Sequence, residues 1–171
     1  MLMQILVHTP RWVFVLFFVL VYFGIKQFVA RSVGFGRASL LPLAFLGLSL
    51  YGVVSGFPTQ PLALLAWALA VALACVAVTT SELPAGTAYD ARARRFSLPG
   101  SPVPLVLMMG IFCTKFVAGV TLATAPQMAQ ELSFALPIAA MYGAFSGVFL
   151  GRAMRLWKLA MGAPSTASAT A

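Results

Sequence analysis

Apolar residues fall in five long runs separated by short polar or turn-forming segments, and that alternation organises the chain. A run of about 20 apolar residues is enough to cross a bilayer as a helix. The pattern predicts membrane spans over residues 12–30, 39–56, 62–80, 103–123 and 131–151, the last continuing as a helical extension to residue 161. Residues 1–161 then form one transmembrane domain, an all-α bundle of five helices. Met1–Pro10 is mildly apolar and is expected at the membrane surface. The first long run exceeds a signal-peptide core. It has no basic residue before Arg11 and no small-x-small site after it, so it is expected to remain uncleaved. The small-residue tail, 162–171, is expected to be disordered.

The breaks differ in kind. Arg31–Arg37 is a basic turn containing glycine, whereas Phe57–Pro61 and Thr124–Gln130 carry no lysine or arginine. Ser81–Ser101 is the only sizeable polar segment. Aromatic and polar residues alternate around Tyr89-Asp90 and Arg95–Leu98, a pattern compatible with a small hairpin or an ordered loop. Pro42 and Pro137 fall near the starts of spans two and five, where a missing N–H costs little.

Five spans place Lys26, Arg31 and Arg37 on the same side as Arg92, Arg94 and Arg95. Arg152, Arg155 and Lys158 fall there too. Cytoplasmic loops are enriched in lysine and arginine, so the expected orientation is N-terminus out and C-terminus in. The chain is 61% hydrophobic and 8% charged, against roughly 25% charged in soluble domains. The formal charge of +8 therefore reads as helix-end anchoring on anionic lipid, with Arg152, Arg155 and Lys158 as cytoplasmic lipid contacts beside Trp157. It does not read as nucleic-acid binding, because no soluble recognition element is present.

Small residues four apart mark helix contacts, since they let backbones approach closely in lipid. Gly143, Gly147 and Gly151 lie on one face of span five, and Gly52 and Gly56 make the same step in span two. The partner is either a helix of the same chain or a second copy, so a homodimer or another membrane-protein partner is open. The chain also echoes itself. Lys26 to Ala30 resembles Lys115 to Ala118, and Leu41-Pro42 with Tyr51-Gly52-x-x-Ser55-Gly56 resembles Leu136-Pro137 with Tyr142-Gly143-x-x-Ser146-Gly147. Either spans one and two correspond to spans four and five as an inverted-topology repeat, an arrangement found in transporters, or one good packing sequence occurs twice.

Catalytic raw material is scarce. Glu82, Asp90 and Glu131 all lie in or beside loops, and no paired carboxylates, Ser-His-Asp set or phosphate loop appears. Gly34-Phe35-Gly36 lacks the preceding strand of a dinucleotide site. Cys75 and Cys113 have no metal-ligand spacing, and the single His8 would need a second chain to make a bis-histidine haem. No enzyme, metal or cofactor is expected. The residue that stands out is Lys115, in the middle of the fourth run, because an ammonium at mid-membrane costs about 3 kcal/mol or more. Tyr22, Tyr51 and Tyr142 are its candidate partners in a ligand site, with Thr114 adjacent and Glu131 the nearest acid along the chain. Alternatively the lysine snorkels to an interface.

Thr9-Pro10-Arg11-Trp12 leading to Tyr22-x-Gly24-x-Lys26-Gln27, Tyr89-Asp90, Arg95-Phe96, Leu98-Pro99-Gly100-Ser101 and Ile111-Phe112-x-x-Lys115 together resemble a family of small, uncharacterised bacterial multi-pass membrane proteins. The resemblance covers about Thr9 to Lys158. It implies a bacterial inner membrane and brings no catalytic residues. The leading expectation is a small transporter-like, ligand-binding or lipid-binding bundle working through Lys115. The alternative is a non-catalytic structural or assembly subunit.

Overall fold

A computed structural model describes residues 11–82, 84–90, 93 and 95–162. The segment Met1–Pro10, with His8, and the tail beyond Gly162 lie outside the described residues. Five helices follow in order: α1 (Arg11–Ile25), α2 (Phe35–Gly56), α3 (Pro61–Thr80), α4 (Val103–Thr124) and α5 (Leu132–Gly162). The last four are long and apolar enough to cross a membrane. The described part of α1 is apolar but has 15 residues, fewer than the roughly 20 a perpendicular span needs.

The all-α expectation needs one correction. A three-stranded antiparallel sheet joins both basic loops: β1 (Arg31–Gly34), β2 (Ala88–Asp90) and β3 (Arg95–Leu98), in the order β1-β3-β2. Val33, Phe96 and Tyr89 lie opposite one another in register. Side chains on a strand alternate faces, so this row forms one apolar face, on which Phe96 is fully buried with its ring tilted against that of Tyr89, 4.8 Å between centroids. Ser32, Ser97 and Ala88 form the next row, which is exposed. The sequence alternation anticipated the β2–β3 pairing. The turn expected over 31–37 is instead a strand running directly into α2.

This sheet also explains why α1 stops at Ile25 rather than near Ala30. The Ser101 amide donates to the Gln27 carbonyl at 3.0 Å. Gly100 lies so close to the Phe28 carbonyl that any Cβ would overlap it. These backbone contacts require the chain to leave the helix through the 3-10 turn Lys26–Phe28. Because α2 begins at Phe35, Pro42 is two turns inside the helix and Pro137 is within α5. Neither is a first-turn proline, and each removes one helical N–H donor.

Helix α5 is the axis of the bundle, packing on α2, α3 and α4, with its most extensive contact on α3. Glycines make that contact. A Cβ on Gly143 would run into the Trp67 carbonyl oxygen, and one on Gly147 into the Val71 carbonyl oxygen. One on Gly151 would meet the Cys75 carbonyl oxygen at 3.0 Å. The face with Gly143, Gly147 and Gly151 is therefore covered by α3 of the same chain. The alanine- and leucine-rich α3 is thus the most extensive partner of α5. The buried apolar core joins Val53, Phe57, Ala63, Ala118, Ala135, Ile138, Ala139 and Tyr142, while α1 lies along α4.

Hydrogen bonds tie each end of the bundle. The Gln60 side-chain Nε2 donates to the Gln130 backbone carbonyl at 2.6 Å, linking the two uncharged turns. At the other end Arg155 of α5 donates to the Ser81 carbonyl (3.1 Å), the Ser81 hydroxyl (3.1 Å) and the Glu82 carbonyl (2.7 Å). The sheet and the Arg155 contacts thus share the end that carries the basic loops.

Candidate functional site

Lys115 lies about 14 Å along the helix axis from the end of α4 at Thr124, given a rise of about 1.5 Å per residue. The surroundings of α4 fix the direction in which this side chain leaves. Leu105, Met108 and Phe112 face α1, where they meet Gly24, Gln27 and Phe17. Gly110 and Thr114 face α5, against Phe145 and Met141. Lys115 is one residue, about 100° of rotation, beyond Thr114. Its ammonium reaches the place where Tyr142 of α5 and Gly52 of α2 come close.

Its ammonium sits over the Tyr142 ring, 4.9 Å from the centroid. The electron-rich ring face attracts a cation, by about 0.5–1 kcal/mol at exposed sites and more when dry. Nζ is also 3.3 Å from where a Cβ on Gly52 would stand, and the edge of the Tyr142 ring is equally close to that point. Any side chain at position 52 would displace one of them. Gly52 therefore does not join two helix backbones; it makes room for a lysine and a tyrosine from two other helices. Contact between α2 and α4 is slight, so Lys115 spans a crease between them whose floor is Tyr142.

The other tyrosines do not join this group. Tyr51 is 70% exposed on α2, and the exposed Tyr22 lies under Lys26, 4.7 Å from ring centroid to ammonium. Gly56, the other glycine singled out in α2, has nothing within 4 Å of a would-be Cβ. The echoed halves are thus used differently: Gly143 and Gly147 press on a helix backbone, and Gly52 and Gly56 do not. Thr114 is buried, and its hydroxyl donates back to the Gly110 carbonyl at 2.8 Å. Glu82, Asp90 and Glu131 all fall outside the five helices, so no helical carboxylate faces Lys115. Among the described residues the Tyr142 ring is the electrostatic partner of Nζ.

The basic end is partly structural. Arg155 is committed to three acceptors just past the C-terminus of α3, where unpaired carbonyls and the helix dipole favour a cation. Trp157 donates to the Ser39 hydroxyl at 2.8 Å, tying α5 to α2. Lys158 is exposed and Arg152 is half-buried. No group of three or more His, Cys, Asp or Glu side chains suited to a metal occurs among the described residues.

Ser49 is the residue that the sequence did not mark. Its hydroxyl donates to the Leu46 carbonyl (3.0 Å) and accepts from Trp67 Nε1 (3.0 Å) and the Ser146 hydroxyl (2.7 Å). One donor and two lone pairs are all in use, which joins α2, α3 and α5 in the buried interior. The one available signal was a lone serine in an apolar run, the same signal that Ser55 gives. Ser55 merely bonds back to the Tyr51 carbonyl.

Several residues of the stretches that carry the family resemblance meet at one junction: Gly24 on Leu105, Gln27 on Met108 and Ser101, Gly100 on Phe28, and Tyr89 on Phe96. No curated protein and no solved structure matches the chain. The sequence model of one family matches residues 1–167. The chain accordingly belongs to the family of unknown function designated DUF6622.

Proposed function

We propose that this chain is a multi-pass protein of a bacterial inner membrane, N-terminus out and C-terminus in, that binds an anionic group at Lys115 without catalysing a reaction. The observation that carries the reading is the ammonium held between Tyr142 and Gly52 with no helical carboxylate to neutralise it. A Tyr ring orients a cation but accepts no strong hydrogen bond, so the three N–H donors of Lys115 are available to an oxyanion. Such intramembrane charges commonly mark a ligand or transport path. The basic β-sheet loops and Arg155 at one end, and the uncharged turns at the other, support the orientation. Membrane lipids surround the bundle and meet the exposed Lys158; no nucleic acid or cofactor takes part. The internal echo adds nothing to this site, because Tyr51 stands apart from it.

The test is thermal unfolding in a neutral detergent, with inorganic phosphate, acetate and dodecyl phosphate added separately. At least one anion should raise the midpoint of the wild type and leave Lys115→Gln unmoved, since a ligand that binds only the folded state stabilises it by mass action. If no anion gives a shift that depends on Lys115, the reading fails.

A second reading, a structural or assembly subunit, draws on the sheet. β1 and β2 are edge strands, and edge strands present backbone groups to a partner strand. A second copy or another membrane protein would supply it. Stoichiometric co-purification that is lost when proline replaces Ala88 would favour this role.

A further inference from the structure

We infer that the anion received by Lys115 is the headgroup of an anionic phospholipid that enters sideways from the bilayer, an inference that rests on the anion-site reading above. The crease containing Lys115 is open along the flank of the bundle. Residues three and four apart share a helix face, so Leu48 and Ser55 line it beside Gly52 on α2. On α4, Ile111 and Gly119 line it beside Lys115. Leu48, Ser55, Lys115 and Gly119 are all exposed, and Gly119, like Gly56, meets nothing within 4 Å of a would-be Cβ. The flank beside Lys115 is therefore unobstructed at Gly119. Tyr142 closes the inner side of the crease.

The chemistry of the walls selects the ligand. Apart from the ammonium and the Tyr142 hydroxyl, the serine and threonine hydroxyls nearby donate to their own helices: Ser55 to Tyr51, Thr114 to Gly110, and Thr124 to Val120. A small hydrated anion moving along this crease would lose its water with nothing to replace it until it reached Lys115. An amphiphile lays its chains on the apolar walls and brings only its phosphate to the lysine. The charge on Lys115 and the absence of helical acids select an anionic headgroup over a zwitterionic one.

The experiment is photocrosslinking in vesicles of phosphatidylglycerol and phosphatidylcholine in equal amounts. Benzoylphenylalanine replaces Leu48, one turn from Gly52, and mass spectrometry identifies the captured lipid. Phosphatidylglycerol should be captured several-fold over phosphatidylcholine. That preference should vanish with Lys115→Gln and persist with Lys115→Arg. Benzoylphenylalanine at Ser55 provides a second reporter if the first variant does not fold. Capture in the bulk lipid ratio at both reporters would overturn the inference, as would a preference that Lys115→Gln leaves intact. A thermal shift with inorganic phosphate that depends on Lys115, without lipid selection, would keep the anion site and assign it to a soluble ligand.

Discussion

The Ser146 hydroxyl donates to the Ser49 hydroxyl at 2.7 Å, across 97 positions of sequence. The same oxygen also accepts from Trp67 and donates to Leu46. Ser49 is thus the point where three helices exchange hydrogen bonds, and Ser146 is one of its clients. Ser49→Ala should destabilise the bundle by about 1–2 kcal/mol by leaving two buried donors unmatched. Ser146→Ala should cost less than half as much. The double variant should cost little more than Ser49→Ala alone, because residues in one network are not additive. Thermal unfolding in detergent reads all three.

Gly147 and Gly56 should respond in opposite ways. Gly147→Ala drives a Cβ into the Val71 carbonyl and must push α3 and α5 apart. A loss of about 2 kcal/mol or more is expected, as for overpacking elsewhere. Gly56→Ala meets open space and should be neutral or stabilising by up to about 1 kcal/mol, since alanine is the better helix former. Comparing their unfolding midpoints checks both signs.

Gly100→Ala should break the junction at the basic end. Its new methyl would overlap the Phe28 carbonyl, a backbone group that cannot rotate away. The Ser101–Gln27 bond and the exit of α1 would be lost with it. Limited proteolysis should show new cleavage in Val29–Gly34, while the core of α3 and α5 stays protected.

Arg155→Gln should lower stability by about 1–2 kcal/mol through the loss of charge-assisted bonds to Ser81 and Glu82. Arg155→Lys should recover only part, because an ammonium cannot reproduce the planar fork. Lys158→Gln, three residues on and exposed, should change the unfolding midpoint little.

Lys115→Met should behave unlike all of these. Removing an ammonium from an apolar helix face relieves a cost of roughly 3 kcal/mol on insertion scales, so stability should rise while anion binding disappears. Tyr142→Phe should keep binding because the ring face remains, and Tyr142→Leu should weaken it.

The five helices were legible from the apolar runs, because each run needs its own cover, but the end of α1 and the start of α2 were not. Lys115 was legible for a simpler reason: a charge in such a run has a cost that composition alone exposes. What escaped was pairing. Nothing in the alanine-rich α3 says that its carbonyls will receive Gly143 and Gly147, since that depends on the angle at which two helices cross. Nor does the basic stretch at Arg31 look like a strand, because its partner Arg95–Leu98 lies far along the chain. Ser49 and Ser55 are the same residue type on the same helix, and only the facing helices decide which becomes a hub. The tyrosines fail for the same reason: Tyr22, Tyr51 and Tyr142 are equal in sequence, and only Tyr142 points inward.

The sheet sets an order of events during synthesis. β1 is made early but its partner, β3, follows some sixty residues later, a wait of several seconds at about 5–20 residues per second. Through that interval α1 also lacks Gly100, Ser101 and Leu105, the residues that hold its end. The first helix must therefore stay in place unassisted until the fourth begins, and the molecule is closed from its middle back to its start.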